Sequence, residues 1–271
     1  MSKVVLITGA TSGMGLASAA LLANEGYRVY GGTRDQSMSD LHAEGIKSVY
    51  LDVTNSHSVK EAVDTVMQNE GRIDVLVNNA GYGLVSTVED GTDKEMFDQF
   101  NVNVFGLLRV TREVLPHMRE AGSGVIINIS SFLGKMGLPL LTHYNASKYA
   151  VEGITDSLRF ETLPFGIRVH AIQSGLFGTN FVKKGLVVNP DTVSENSPYK
   201  KLVSHFVPIV ADAINEGPKP EPIARAVQRI IEDEEADIFV PVGGEAETFI
   251  PMRKEMDDKT FEKRVKETFG L

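Results

Sequence analysis

The sequence predicts a single α/β domain, a doubly wound parallel sheet with helices on both faces. Three observations carry this. Short β-branched runs alternate with longer stretches of helical periodicity. Several of those runs are apolar at consecutive positions, as strands buried on both faces must be. A glycine-rich turn joins the first run to the first helix. With 271 residues, 42% of them apolar, the chain can bury one large core.

The elements follow in order. "KVVLI" (3–7) reads as the first strand, and a helix follows from about Gly13 to Asn24, stopped by Gly26. "YRVYGG" (27–32), "KSVYLDV" (47–53) and "IDVLVNNAG" (73–81) read as the next three strands. Between the last two lies a helix starting after Ser56, with Val59, Val63 and Val66 on one face. One long helix is expected from about Asp93 to Arg119. "VIINIS" (125–130), "IRVHAI" (167–172) and "DIFVPV" (237–242) complete the sheet. From Leu176 to about Pro222 the rhythm breaks into turn-rich sequence around an apolar helical piece near Leu202–Ile214. Such an insertion after the sixth strand lies on the sheet edge where ligands bind, and it is expected to form a lid over a pocket.

Composition narrows the function. The formal net charge is −9 and no basic run occurs, so nucleic acid and anionic lipid are disfavoured as partners. Cysteine is absent, which excludes disulfides and thiolate–metal sites. The six histidines never fall at a metal-binding spacing. The apolar start is too short for a signal peptide and no later run could span a bilayer, so a cytoplasmic protein is expected.

"TGATSGMG" (8–15) places Gly9, Gly13 and Gly15 between the first strand and first helix. Glycine lets the backbone turn sharply and approach a pyrophosphate, while the N–H groups and dipole of the helix N-terminus favour negative charge. A nucleotide site is expected here. "YNASK" then sets Tyr144 and Lys148 four residues apart, one turn apart on one helix face.

Taken with "NNAG" (78–81), "NVNVFG" (101–106), "NISS" (128–131) and "SGLFGT" (174–179), these motifs resemble the short-chain dehydrogenase/reductase family in kind and order, over residues 3 to about 180. The resemblance implies a Rossmann-type fold and an oxidoreductase that interconverts an alcohol and its ketone. It assigns Asn103, Ser131, Tyr144 and Lys148 to catalysis. Tyr144 is the proton-transfer group, and Ser131 binds the substrate oxygen beside it. Lys148 holds the nicotinamide ribose, and Asn103 keeps a water in the relay behind Lys148. Cofactor contacts fall on Gly9, Thr11, Ser12, Gly13, Met14, Gly15, Asp52, Val53, Asn79, Ala80, Gly81, Gly175 and Thr179, together with Tyr144 and Lys148. Ser174 departs from the family's proline and is expected to loosen the turn that anchors the lid.

A tyrosine with a pKa near 10 is a weak base at neutral pH, so a lysine ammonium one turn away is expected to lower it. At the end of the second strand Thr33 and Arg34 stand where an acid would select NAD(H). A guanidinium suits a 2′-phosphate, so NADP(H) is favoured and NAD(H) remains possible, with Asp35 speaking for the latter. Leu133, Met136, Leu138, Leu140, Phe177, Phe181 and Tyr82 suggest an apolar wall, although Leu138 and Leu140 serve equally well as core. The substrate is thus expected to be an apolar alcohol or ketone, in keeping with a resemblance to the hydroxysteroid/retinol dehydrogenase-like branch. Two alternatives are a nucleotide-sugar epimerase or dehydratase and a non-catalytic NADP-sensing regulator. The glycine spacing and short C-terminal segment disfavour the first; the intact Tyr–Lys pair disfavours the second. Apolar Phe97, Phe100, Val104, Leu107, Leu108, Val114 and Leu115, with Tyr149, Val151, Ile154 and Leu158, predict a homodimer or homotetramer, since family members pair these two helices across a two-fold axis.

Overall fold

Nine strands run along the described residues of the computed structural model, which are 2–35, 45–179 and 185–271. They are β1 (Val4–Thr8), β2 (Arg28–Thr33), β3 (Lys47–Tyr50), β4 (Val75–Asn78), β5 (Gly83–Val85), β6 (Gly124–Ser131), β7 (Ile167–Ser174), β8 (Leu186–Val188) and β9 (Phe239–Val242). Seven form one parallel sheet in the order β3-β2-β1-β4-β6-β7-β9. Seven strands were expected, and these are the seven. The small parallel pair β5–β8 was not foreseen, because neither three-residue piece carries a pattern of its own.

The consecutive apolar runs have a direct structural cause. In β1, Val5 and Ile7 pack toward the helices Gly13–Asn24 and Glu221–Glu232, beside Leu22, Val227 and Ile230. Val4 and Leu6 point the other way, into Val63, Val66 and Val114 of the helices Ser56–Glu70 and Leu107–Ala121. Successive side chains alternate in direction, so a strand covered on both faces must be apolar throughout. All four residues are fully buried.

Two strands stop earlier than the sequence suggests, each for a local reason. β4 ends at Asn78 because Asn79 N and Ala80 N donate to Thr8 Oγ1 instead of continuing the ladder. β3 ends at Tyr50, and Asp52 Oδ1 accepts from Thr54 N (2.9 Å) and Thr54 Oγ1 (2.7 Å) to close a turn. The long helix expected over 93–119 is interrupted. A helix Asp93–Phe100 passes into a π-helical turn, Asn101–Gly106, before Leu107–Ala121 resumes α geometry. Wide turns of this kind occur mostly at functional sites. Among the described residues, no helix is long and apolar enough to cross a membrane.

Candidate active site

The order of the sheet creates the crevice. β1 pairs with β2 on one side and β4 on the other, so the chain winds away in opposite directions from the C-terminal ends of these strands. Thr8 and Asn79 clasp that end. Asn79 N and Ala80 N reach Thr8 Oγ1 at 3.0 and 2.9 Å, and Asn79 Nδ2 donates to Thr8 O and Gly9 O at 3.0 and 2.9 Å. The clasp leaves no space beside Gly15, where an added methyl group would collide with Asn79 Nδ2 and Gly9 O. Gly9 and Gly13 hold left-handed φ angles of +64° and +56°, which a side chain would strain. Thr11, Ser12 and Met14 complete the turn, half-buried. Ser12 is the N-cap, yet its hydroxyl does not cap the first-turn N–H groups. A backbone cradle at a helix N-terminus without a side-chain cap fits a pyrophosphate.

The remaining cofactor candidates lie around this cradle. Thr33 is buried, its hydroxyl accepting from Asp35 N (2.9 Å) and donating to Asp35 O (3.1 Å), whereas Arg34 is exposed. Asp52 commits Oδ1 to Thr54, and Val53 packs against Gly106 of the π turn. Gly81 lies against Asn103 Oδ1, and Thr179 against Gly13. Gly175 N donates to Val242 O (2.8 Å), and its neighbour Leu176 N donates to Glu245 Oε2 (2.9 Å). Ser174 does not loosen this turn as expected. Its hydroxyl donates to Ser130 O at 3.1 Å, and its backbone remains paired in β7.

Ser131, Tyr144, Lys148 and Asn103 converge as expected. Ser131 ends β6, and the helix Thr142–Thr162 carries Tyr144 and Lys148 past it. Lys148 Nζ lies 5.6 Å from the Tyr144 ring centroid and donates to Ile129 O at 2.8 Å. Asn103, buried in the π turn, accepts from Tyr82 N (3.0 Å) and donates to Tyr82 O (2.9 Å) and Ser147 Oγ (3.0 Å). Ser147 in turn donates to Tyr144 O at 2.7 Å. Asn103 therefore fastens the catalytic helix to the loop after β4, and the π turn presents its amide for that contact. The residue before this helix turn is also unusual. Leu140 holds φ +63°, the only non-glycine positive φ among the described residues, and its carbonyl accepts from Ser86 N at 2.8 Å.

The charge state differs from the sequence-based expectation. Burial pushes Tyr144 up to about 12, opposed by its hydrogen bond with Ser131. Burial also brings Lys148 down to about 8, and the Glu152 carboxylate opposes that fall. Burial is the largest influence on the phenol, and Lys148 is itself desolvated and turned onto Ile129 O. The protein's own groups thus keep Tyr144 protonated at neutral pH, the state suited to donating a proton.

A cavity of about 90 Å³ opens directly above Ser131 and Tyr144. Leu133, Leu141, Leu176, Phe177, Leu186, Val210 and Ile214 line it, together with Met14 and with Thr179, which lies against Gly13 of the cradle. Among the described residues, no charged side chain lines it. Of the residues expected at the wall, Leu133 and Phe177 are there. Met136, Leu138 and Leu140 are not: they join a buried cluster with Phe132 and Phe249. Tyr82 stands outside the lining, and Phe181 lies outside the described residues. Val85, Leu186, Val210 and Ile214 were missed. The apolar pattern of 202–214 was visible, but which of its residues face the cavity depends on how the helix Lys200–Asn215 docks.

Comparison with known proteins identifies the family. The sequence model of the family "short chain dehydrogenase" matches residues 3–186. The chain is similar to a 3-ketodihydrosphingosine reductase of Bacteroides thetaiotaomicron, at 38% identity over 84% of this chain and 83% of the relative. It is also similar to the solved structure of a short-chain dehydrogenase from Streptomyces avermitilis, with 34% identity and a TM-score of 0.84 over 100% of this chain and 98% of the other. A structure of ElxO with NADP bound aligns with a TM-score of 0.74 at 25% identity, covering 92% of this chain and 100% of that one.

Proposed function

This chain belongs to the short-chain dehydrogenase family and is an NAD(P)-dependent oxidoreductase, and we propose that it interconverts an apolar, uncharged secondary alcohol and its ketone, with NADP(H) as the favoured cofactor. The observation that carries this reading is the cavity, whose lining among the described residues is mostly apolar and uncharged around the Ser131 and Tyr144 hydroxyls. A substrate carboxylate or phosphate would be desolvated there, with no countercharge among the described lining residues.

The bound nicotinamide supplies or accepts the hydride. The chain's residues do the rest. In the reducing direction Ser131 Oγ donates a hydrogen bond to the carbonyl oxygen, where negative charge develops. Tyr144 OH delivers the proton to that oxygen. Lys148, charged, keeps the resulting phenolate from rising in energy and grips the nicotinamide ribose. Asn103 positions the helix that carries both and holds the water of the relay behind Lys148. Thr11, Ser12 and the N–H groups of the cradle bind the pyrophosphate, and Asp52, Val53 and Asn79 to Gly81 line the adenine and ribose path. Arg34 would hold the 2′-phosphate; its exposure and the neutral Thr33 at the end of β2 support this, as does NADP in the similar ElxO structure. The segment 176–222 serves as the substrate lid of a single catalytic domain.

The protein acts as a homodimer or homotetramer in the cytoplasm. Of the stripe read from the sequence, Val104, Leu107, Val114, Val151 and Leu158 are buried within the chain, whereas Phe97, Leu108 and Tyr149, joined by Phe105, are exposed on the two helical segments and support the assembly. Light scattering at micromolar concentration tests the assembly, and a monomer would refute it. The function itself is tested by following NADPH and NADH oxidation against a panel of neutral and anionic ketones. Turnover of neutral apolar ketones with NADPH is expected; turnover confined to anionic ketones would overturn the substrate class.

A further inference from the structure

Behind the reacting groups lies a buried carboxylate that the reaction as described does not use. Glu152 stands four residues after Lys148, so the two share a helix face one turn apart. Its side chain is only 4% exposed. Glu152 Oε2 accepts from Gln173 Nε2 on β7 (2.9 Å) and pairs with Lys135 Nζ from the turn after β6 (3.2 Å). Glu152 Oε1 is buried with no hydrogen-bond partner. A buried carboxylate held from a strand and a turn and left half-satisfied costs stability compared with an apolar side chain of similar size. On the same helix face it has Lys148 one turn before it and the exposed Asp156 one turn after it, the latter paired with Arg159.

We propose that Glu152, held by Gln173 and Lys135, is a positioning residue that keeps the buried Lys148 ammonium protonated for the reaction. This inference rests on the catalytic role given to Lys148 above. The charged and titratable groups around the pair are few. Tyr144, Tyr149 and the exposed Asp156 lie on the same helix, Glu152 acting on Tyr149 as well; Arg253 of the helix Gly244–Glu255 also acts on Tyr149, and Lys135 comes from the turn after β6. β7 contributes only the neutral Gln173, and the π turn only Asn103. Burial disfavours the Lys148 ammonium; a carboxylate one turn away favours it. Lys135 is about one-third exposed, so it partly neutralises Glu152 without cancelling it, and its ammonium also sits 4.8 Å from the Phe239 ring centroid.

The sign of the effect is fixed. Removing the negative charge makes Lys148 release its proton at lower pH, whereas removing Lys135 leaves Glu152 less compensated and raises that pH. The test titrates Lys148 by NMR in cofactor-free protein carrying ¹³Cε-lysine, its signal assigned by loss in Lys148→Met. In Glu152→Gln the midpoint should fall by about half a pH unit or more. In Glu152→Asp it should stay near wild type, and in Lys135→Gln it should rise. A structural weakening would move the two outer variants in the same direction. The alkaline limb of kcat/KM for ketone reduction should follow the NMR midpoints, with its low-pH plateau kept. An unchanged Lys148 midpoint in Glu152→Gln, or a shift of the same sign in Lys135→Gln, would overturn the inference. If the midpoints move as stated and no ketone is reduced, the proposed reaction fails and the electrostatic role of Glu152 stands.

Discussion

The cradle at the end of β1 and the cavity above Ser131 are neighbours, yet they are built in opposite ways. The cradle is backbone: a strand, a turn with two left-handed glycines and a helix start, all within residues 4–24 and fastened by the Thr8–Asn79 clasp. The cavity is side chains, drawn from β5, β6, the catalytic helix and the 176–215 region. A backbone site binds what every dinucleotide shares, so its sequence has little freedom. A cavity of side chains discriminates among substrates, and aliphatic residues replace one another there at small cost.

Four substitutions, in three experiments, would break or sharpen that contrast. The largest effect is expected where the two regions meet. Tyr144→Phe removes one hydroxyl, so folding and NADPH binding should survive while kcat falls by about two or more orders of magnitude. Steady-state kinetics alongside cofactor titration reads both quantities; a variant keeping a tenth of wild-type kcat would remove Tyr144 from the reaction. Next comes the outer end of the nucleotide region. Arg34→Ala should weaken NADPH by about tenfold to a hundredfold, the worth of a charge-assisted hydrogen bond, and leave NADH nearly unchanged. Adding Thr33→Asp should reverse the preference, because the carboxylate repels the phosphate and can accept from a ribose hydroxyl. Fluorescence titration of both cofactors checks this, and equal weakening of the two would refute the reading of Arg34. The smallest effect belongs to the cavity wall. Ile214→Ala should raise KM for a bulky apolar ketone by up to about tenfold while cofactor affinity stays constant. An accompanying loss of NADPH affinity would show that the wall and the cradle are not separable.

The tyrosine–lysine pair illustrates a different limit of sequence reading. Their spacing places them on one helix face, and the structure keeps them there. The same spacing suggests that lysine lowers the tyrosine's pKa, and in the protein alone burial reverses this. Spacing reports who is near whom. It does not report how much water remains, and in a buried site desolvation sets the sign.

The sequence by itself determined the parallel sheet, the glycine turn after β1 and the shared helix face of Tyr144 and Lys148. Each depends on a short-range regularity: consecutive apolar residues in a strand covered on both faces, glycines where φ is positive or space is absent, and a one-turn spacing on a helix. Only the tertiary structure decided what depends on contacts distant in the chain. It set Thr8 against Asn79, opened the helix at Asn101–Gly106 so that Asn103 reaches Ser147, and paired β5 with β8. It sent Met136, Leu138 and Leu140 into the core while turning Val210 and Ile214 toward the cavity. An aliphatic side chain carries no mark of which apolar surface it will cover. That choice is made by the docking of whole elements, and with it the shape of whatever substrate the cavity admits.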